Sequence, residues 1–192
     1  MADTPTWVDV LGFVVAAGGF GFGVYQYREG RLETRRKFAA ESVRAFKENI
    51  CVQAAGRMLD WGHRKGISVP VPGTDKQHPI ELFDHVVLAA ALLTHEQKQD
   101  EFSGDEAAIR DVFDVFIDEL EMMAHQEAVK AIALEDVAPY LRYVAQLVRG
   151  ERGQVDKKVS ANLTNYMNHY WGGHVLEFLD RCRSYRGSAG GG

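Results

Sequence analysis

The chain has 192 residues and a formal net charge of −5 at pH 7, from 22 basic and 27 acidic side chains. An acidic excess disfavours nucleic acid as a partner, because nucleic-acid-binding surfaces are basic. The two cysteines, Cys51 and Cys182, are too few for a disulfide framework and lie in apolar helical stretches. We therefore expect one domain with reduced, buried thiols.

The first predicted element is an uncharged stretch from Val10 to Tyr25. Widened to Trp7 and Tyr27 it has about 21 residues, or about 31 Å of helix, which matches a hydrocarbon core of about 30 Å. Aromatic rings at both ends suit the two headgroup levels of a bilayer. The sequence therefore predicts one membrane-spanning helix, in a transmembrane anchor of residues 1–30.

A signal peptide and a buried water-soluble helix are the alternatives for this stretch. A signal peptide has a basic start, whereas Asp3 and Asp9 make this start acidic. A soluble helix would lose about 1 kcal/mol for each of the glycines in the stretch, which membrane helices tolerate. Both comparisons favour the membrane helix.

A basic collar follows the stretch and predicts its orientation. Because basic residues stay on the cytoplasmic side, we expect the N-terminus outside the inner (plasma) membrane of a bacterium and the rest in the cytoplasm. Near an anionic lipid headgroup each basic side chain contributes about 1 kcal/mol. The predicted headgroup ligands are Arg28, Arg31, Arg35, Arg36 and Lys37.

Small and polar residues recur along the predicted anchor at alternating steps of three and four, which places them on one side of a helix. Small residues let helices approach closely in lipid, so this glycine stripe predicts a self-association face. A ring of copies could line a pore with it; alternatively, glycine is simply common in membrane helices. The stripe comprises Asp9, Gly12, Ala16, Gly19, Gly23 and Gln26.

Residues 31–186 are predicted to form one cytosolic helical domain, so that the fold class is all-α, a transmembrane helix followed by a multi-helix bundle. The capping-box pattern from Ser103 to Glu106 opens the longest soluble helix. We expect the anchor to run into the next helix with little break despite Gly30. Apolar periodicity predicts helices at 31–49, 50–61, 81–93, from 103, from near 136 with Pro139 in the first turn, and two within 157–185 split at Gly172 and Gly173.

Residues 63–79 are the main non-helical insert, since three prolines and two glycines exclude a helix there. Ile67, Val69 and Val71 alternate, which allows a short edge strand or hairpin. The insert is either a solvated connector or a contact site. Residues 187–192 have the composition of a tag linker and are left out of the fold.

No motif for a cofactor or metal ion is found. No glycine loop follows a strand, and the seven histidines form no metal-binding spacing. An acidic row on the helix after Ser103 faces away from its apolar stripe, which is typical of a solvated face. The row comprises Asp111, Asp114, Asp118 and Glu121.

One pattern has the form of a known catalytic motif. Arg57 and His63 have the R-x(4–6)-H form of HEPN ribonucleases, in which histidine would act as acid and base and arginine would stabilise negative charge. The position after the arginine is usually polar in that family, but here it is Met58. A surface arginine and a helix-end histidine are the simpler interpretation.

Four segments resemble a group of uncharacterised bacterial membrane-anchored proteins: GVYQYREGRLETRRKFAAESVRAF, MLDWGHRKGI, AAIRDVFDVFIDELE and LEDVAPYLRYV. The resemblance implies one N-terminal membrane helix and a helical cytosolic domain, and it implies no catalytic residues. The layout is also similar to HEPN-like membrane-pore accessory proteins of RNA-targeting CRISPR systems, an analogy of architecture.

We therefore expect a non-enzymatic membrane protein that self-associates and acts as a pore-like or membrane-perturbing effector in stress or phage defence. Its partners would be the lipid bilayer and copies of itself, with no cofactor. One alternative is a membrane-anchored scaffold or sensor for an unknown cytosolic protein. The other is a ribonuclease that uses Arg57 and His63.

Overall fold

The computed structural model describes residues 7–152 and 156–186, without the side chains of 7–19 and of residue 21. Over these ranges the chain is mostly helical, as predicted, with a small two-stranded sheet. The predicted linker at 187–192 lies outside the described residues. The elements are α1 (Trp7–Glu48), α2 (Ile50–Asp60), β1 (His63–Pro70), β2 (Gln77–Asp84), α3 (His85–Ala91), α4 (Gly104–Ala128), α5 (Leu134–Val148), α6 (Lys157–Tyr170) and α7 (His174–Ser184).

Helix α1 is continuous from Trp7 to Glu48, which confirms the prediction of little break at Gly30. Its C-terminal part packs into the core through Ala39, Val43 and Phe46, all buried. These residues are spaced by four and three, so they share one side of the helix. We call this part of α1, together with everything from α2 to α7, the body.

Asn49 separates α1 from α2 by capping the second helix. Its side-chain oxygen accepts a hydrogen bond from the backbone N–H of Cys51 at 2.9 Å. Its Nδ2 donates to Glu119 of α4 at 3.0 Å, which ties the turn to the central helix. Helix α2 has nearly its predicted bounds because this cap stops α1 and starts α2.

The insert folds as the hairpin that the alternation allowed. Strands β1 and β2 are antiparallel, and Ile67 pairs with Ile80. The predicted helix 81–93 is wrong in its first four residues, which belong to β2. Asp84 accepts hydrogen bonds from the N–H groups of Val86 and Val87, so α3 starts after it. Apolar residues have helical spacing on both sides of this cap, so the periodicity could not locate the start of the helix.

Helix α4 is the centre of the body. The predicted capping box is present: the Ser103 hydroxyl accepts from the Glu106 N–H, and the Glu106 carboxylate accepts from the Ser103 N–H at 2.8 Å. Its apolar stripe is buried as predicted, including Ile109, Phe113 and Leu120. Helices α2, α3 and α7 and the hairpin pack around it.

The C-terminal helices complete the body. Helix α5 starts at Leu134, so Pro139 lies inside the helix and not in its first turn as predicted. The split between α6 and α7 at the glycine pair is confirmed, and Gly172 has a φ of +77° that favours glycine. Helix α7 packs against α5, and Arg149 forms an ion pair with Asp180 across this contact.

Candidate functional site

The part of α1 before the body exposes large apolar side chains. Phe20 and Phe22 are 76% and 62% exposed, and Tyr25 and Tyr27 are also exposed. At 100° per residue these side chains lie on different sides of the helix. Every described side chain from residue 20 to 34 is exposed. An apolar surface of this kind normally marks an interaction with a protein or a membrane.

The glycine stripe is described only at its C-terminal end. The side chains of Asp9, Gly12, Ala16 and Gly19 lie outside the described residues. Gly23 and Gln26 are exposed, and a Cβ added at Gly23 would meet no atom within 4 Å. The described end of the stripe therefore lies on an open surface.

Three of the five predicted headgroup ligands are paired with carboxylates of the chain itself. Arg35 contacts Glu135 at 2.9 Å and Asp136 at 3.1 Å, which joins α1 to the start of α5. Arg36 lies 4.0 Å from Asp136, and Lys37 contacts Glu33 at 2.8 Å. Arg35 thus has a structural role that its sequence position did not indicate.

Arg28 and Arg31 form a different group together with Lys130. The sequence predicted no role for Lys130. Lys130 follows α4 with a φ of +62°, and it lines a cavity of about 310 Å³ with both arginines. Among the described residues, no carboxylate forms an ion pair with any of these three side chains. We call them the free basic cluster. Lys130 lies about a hundred residues along the chain, so no local pattern could have revealed it.

A larger cavity of about 570 Å³ adjoins the cluster on the side of the glycine stripe. It combines cations with an apolar wall, which suits an amphipathic molecule with an anionic head. The lining residues are Gln26, Tyr27, Gly30, Arg31, Thr34, Arg35, Phe38, Lys130 and Ala131.

A second polar group lies inside the body around Arg110. Its guanidinium donates to the carbonyl oxygens of Ala91 at 2.9 Å and Leu93 at 2.6 Å. The same guanidinium lies 4.2 Å from the centre of the Phe102 ring and 4.6 Å from that of Tyr166. These contacts join the end of α3 to α4 and α6, so the group is structural.

The acidic row on α4 is not simply a solvated face, which corrects the prediction. Asp114 accepts a hydrogen bond from the Tyr166 hydroxyl, and burial raises the pKa of both groups. Asp118 accepts from the Trp171 indole at 2.7 Å. Among the described residues, no group of three or more potential ligands could hold a metal ion.

Arg57 and His63 are not brought together in one cavity. Arg57 lines a cavity between α2 and β1, whereas His63 is exposed at the start of β1 and is not among the lining residues. Arg57 donates to the side chain of Gln53 at 3.3 Å. This arrangement gives the ribonuclease hypothesis no additional support.

Over the residues described, no helix is both long and apolar enough to pass through a membrane. The predicted membrane helix over Trp7–Tyr27 therefore has no support from the structure, and most of its side chains lie outside the described residues.

Comparisons with protein-family models, with curated proteins and with solved structures found no match to the chain. The resemblances given above remain predictions.

Proposed function

We propose that the chain is a non-enzymatic membrane protein that self-associates through the N-terminal part of α1. The observation that carries this proposal is the exposure of apolar side chains on several sides of α1, from Phe20 to Leu32. Large apolar side chains exposed on several sides of a helix mark a surface that lipid or protein covers. In sequence, no charged residue lies between Val10 and Phe20.

In this proposal residues 7–27 cross the inner membrane of a bacterium with the N-terminus outside, and the body lies in the cytoplasm. The free basic cluster follows this segment, where it would meet anionic headgroups of the inner leaflet. The finer proposal is a ring of copies with the glycine stripe turned inward, as in a pore-like effector of stress or phage defence.

The mass of the detergent-solubilised full-length protein, measured by light scattering, tests self-association. We expect a discrete oligomer for the wild type and a smaller species for Gly23→Leu, because leucine would separate closely packed helices. Gly21→Leu is the matched control, since it makes the same change two positions away, outside the stripe. A wild-type monomer would contradict the proposal, and equal masses for the wild type and both variants would refute the role of the stripe.

A scaffold or sensor that uses α1 only as an anchor is the second candidate. The cavity between α2 and β1 favours it, because a sensor needs a ligand site outside the anchor. This candidate predicts that an unrelated membrane helix can replace residues 7–27 without loss of function. A self-associating effector would lose its oligomer in the same exchange.

A further inference from the structure

We propose that the cavity between α2 and β1 binds a small phosphate ester with one aromatic base, of the size of a nucleoside monophosphate. The cavity has a volume of about 250 Å³. Typical ligand pockets have about 300–1,000 Å³, so the ligand must be small. The residues that line it are Ala54, Arg57, Met58, Trp61, Arg64, Lys65, Gly66, Ile67, Ser68 and Val69.

The charged side chains that line this cavity are all basic. Arg57, Arg64 and Lys65 are exposed side chains on its wall, and no carboxylate belongs to the lining. Asp60 is adjacent in sequence, but it accepts a hydrogen bond from the Tyr143 hydroxyl at 2.9 Å. In the described part of the chain, none of the three cations has an ion-pair partner, although the whole chain is acidic. An anion between them would relieve their mutual repulsion.

The two arginines are suited to phosphate in particular. The Arg64 guanidinium lies 3.7 Å from the centre of the Trp61 ring, so its face is held by the indole. Stacking uses the face of a guanidinium and leaves its N–H groups at the edge free to bind two oxygens of a phosphate. Arg57 donates to Gln53 from one nitrogen and retains further N–H donors.

The remaining wall suits the ring of the ligand. Met58 and Val69 are buried, and Ile67 is partly buried, so this side of the cavity is apolar. Gly66 lies inside β1 with a φ of +63°, and a Cβ added there would meet no atom within 4 Å. A glycine inside a strand often marks the close approach of a ligand. The cavity thus combines a basic entrance with an apolar wall.

Calorimetric titration of the full-length protein in detergent with AMP and GMP, and with inorganic phosphate and adenosine, tests this site. We expect at least one nucleotide to bind. Inorganic phosphate should bind at least about tenfold more weakly than that nucleotide, and adenosine should not bind. Arg57→Gln and Arg64→Gln should each weaken binding about tenfold, the effect of losing one charge-assisted hydrogen bond. Lys76→Gln is the matched control, because Lys76 lies in the same hairpin outside the cavity lining.

Three results would overturn the proposal. The first is no heat with either nucleotide at millimolar concentration. The second is equal weakening by Lys76→Gln and Arg57→Gln, which would indicate diffuse attraction by charge. The third is tighter binding of a single-stranded oligonucleotide than of the mononucleotide, which would indicate nucleic acid. Circular dichroism checks the fold of each variant, and Lys65→Gln replaces any variant that unfolds.

Discussion

Cys182 lies on the buried side of α7, and its burial predicts low reactivity. Burial raises the pKa of its thiol to about 12, and it also raises the pKa of Cys51. Since the thiolate is the reactive form, neither side chain should react with iodoacetamide at neutral pH while the protein is folded. Mass spectrometry should find both labelled only after denaturation. Rapid labelling of the native protein would mean that α2 or α7 opens.

Glu106 should make stability depend on pH. Burial raises the pKa of its carboxyl group, but Lys98 at 2.8 Å and the Ser103 N–H lower it more, so the folded pKa is below its ordinary value. A lowered pKa stabilises the fold above the unfolded pKa of about 4.3, and this contribution is lost as the pH falls through the folded pKa.

Urea unfolding of Glu106→Gln at pH 7 and in acid measures this contribution. The variant should be less stable by about 1–2 kcal/mol at neutral pH, with a difference that shrinks in acid as the wild-type carboxyl takes up its proton. Glu96→Gln is the control, because Glu96 is exposed. A difference that stays constant with pH would contradict the interpretation.

Two glycines should respond oppositely to alanine. Gly56 lies inside α2 with no atom within 4 Å of an added Cβ, so Gly56→Ala should stabilise the protein by about 0.5–1 kcal/mol. Gly150 has a φ of +65°, and its Cβ would lie 3.0 Å from Ser160. Gly150→Ala should destabilise it by about 1–2 kcal/mol. Thermal unfolding compares the two, and stabilisation by both would refute the conformational argument.

At the scale of elements, local signals in the sequence predicted most of the fold. Ser103 and Glu106 marked the start of α4, and Gly172 marked the end of α6, because caps depend on residues close in sequence. The start of α3 was missed because Asp84 lies inside an apolar run that continues on both sides. The first part of that run is a strand because it pairs with β1. Such pairing joins residues that are distant in sequence, so helical periodicity cannot predict it.

The candidate site was less predictable than the fold. The collar was visible as a cluster of basic residues, but its division into paired and free members was not. Arg35 pairs with residues about a hundred positions away at the start of α5, and Lys130 joins Arg28 and Arg31 from the turn after α4. Both contacts depend on how α4 and α5 pack against α1. The spacing of basic residues within the collar carries no information about that packing.

This division predicts different effects along the collar. Replacing Arg28 and Arg31 together by glutamine should weaken binding to vesicles that contain phosphatidylglycerol by about fivefold per residue, since each contributes about 1 kcal/mol. Lys37→Gln should have a smaller effect, because Lys37 is already paired with Glu33. Flotation of a chain without residues 1–27, with anionic and with zwitterionic vesicles, measures the difference, because a membrane helix would hold the full-length protein to either vesicle. An equal loss of vesicle affinity per side chain for Arg28, Arg31 and Lys37 would show that the ion pair of Lys37 does not affect lipid binding.

Across the whole molecule, basic side chains serve two purposes that composition does not distinguish. Some join helices of the body: Arg149 pairs with Asp180 between α5 and α7, and Arg181 pairs with Glu127 between α4 and α7. Others remain without ion-pair partners among the described residues, in the free basic cluster and around the cavity beside α2. A net charge of −5 therefore conceals two local positive regions.

The body and the N-terminal part of α1 should also be separable. Between Phe20 and Gly30 every described side chain is exposed, and Ala39 is the first fully buried residue among the described side chains of α1. A variant without residues 1–30 should therefore melt within about 2 °C of the full-length protein, since a loss of 1 kcal/mol would lower the melting temperature by about 2–4 °C. It should also be a monomer in buffer without detergent. A lower melting temperature would reveal contacts between the two parts, and a persistent oligomer would move self-association from α1 to the body.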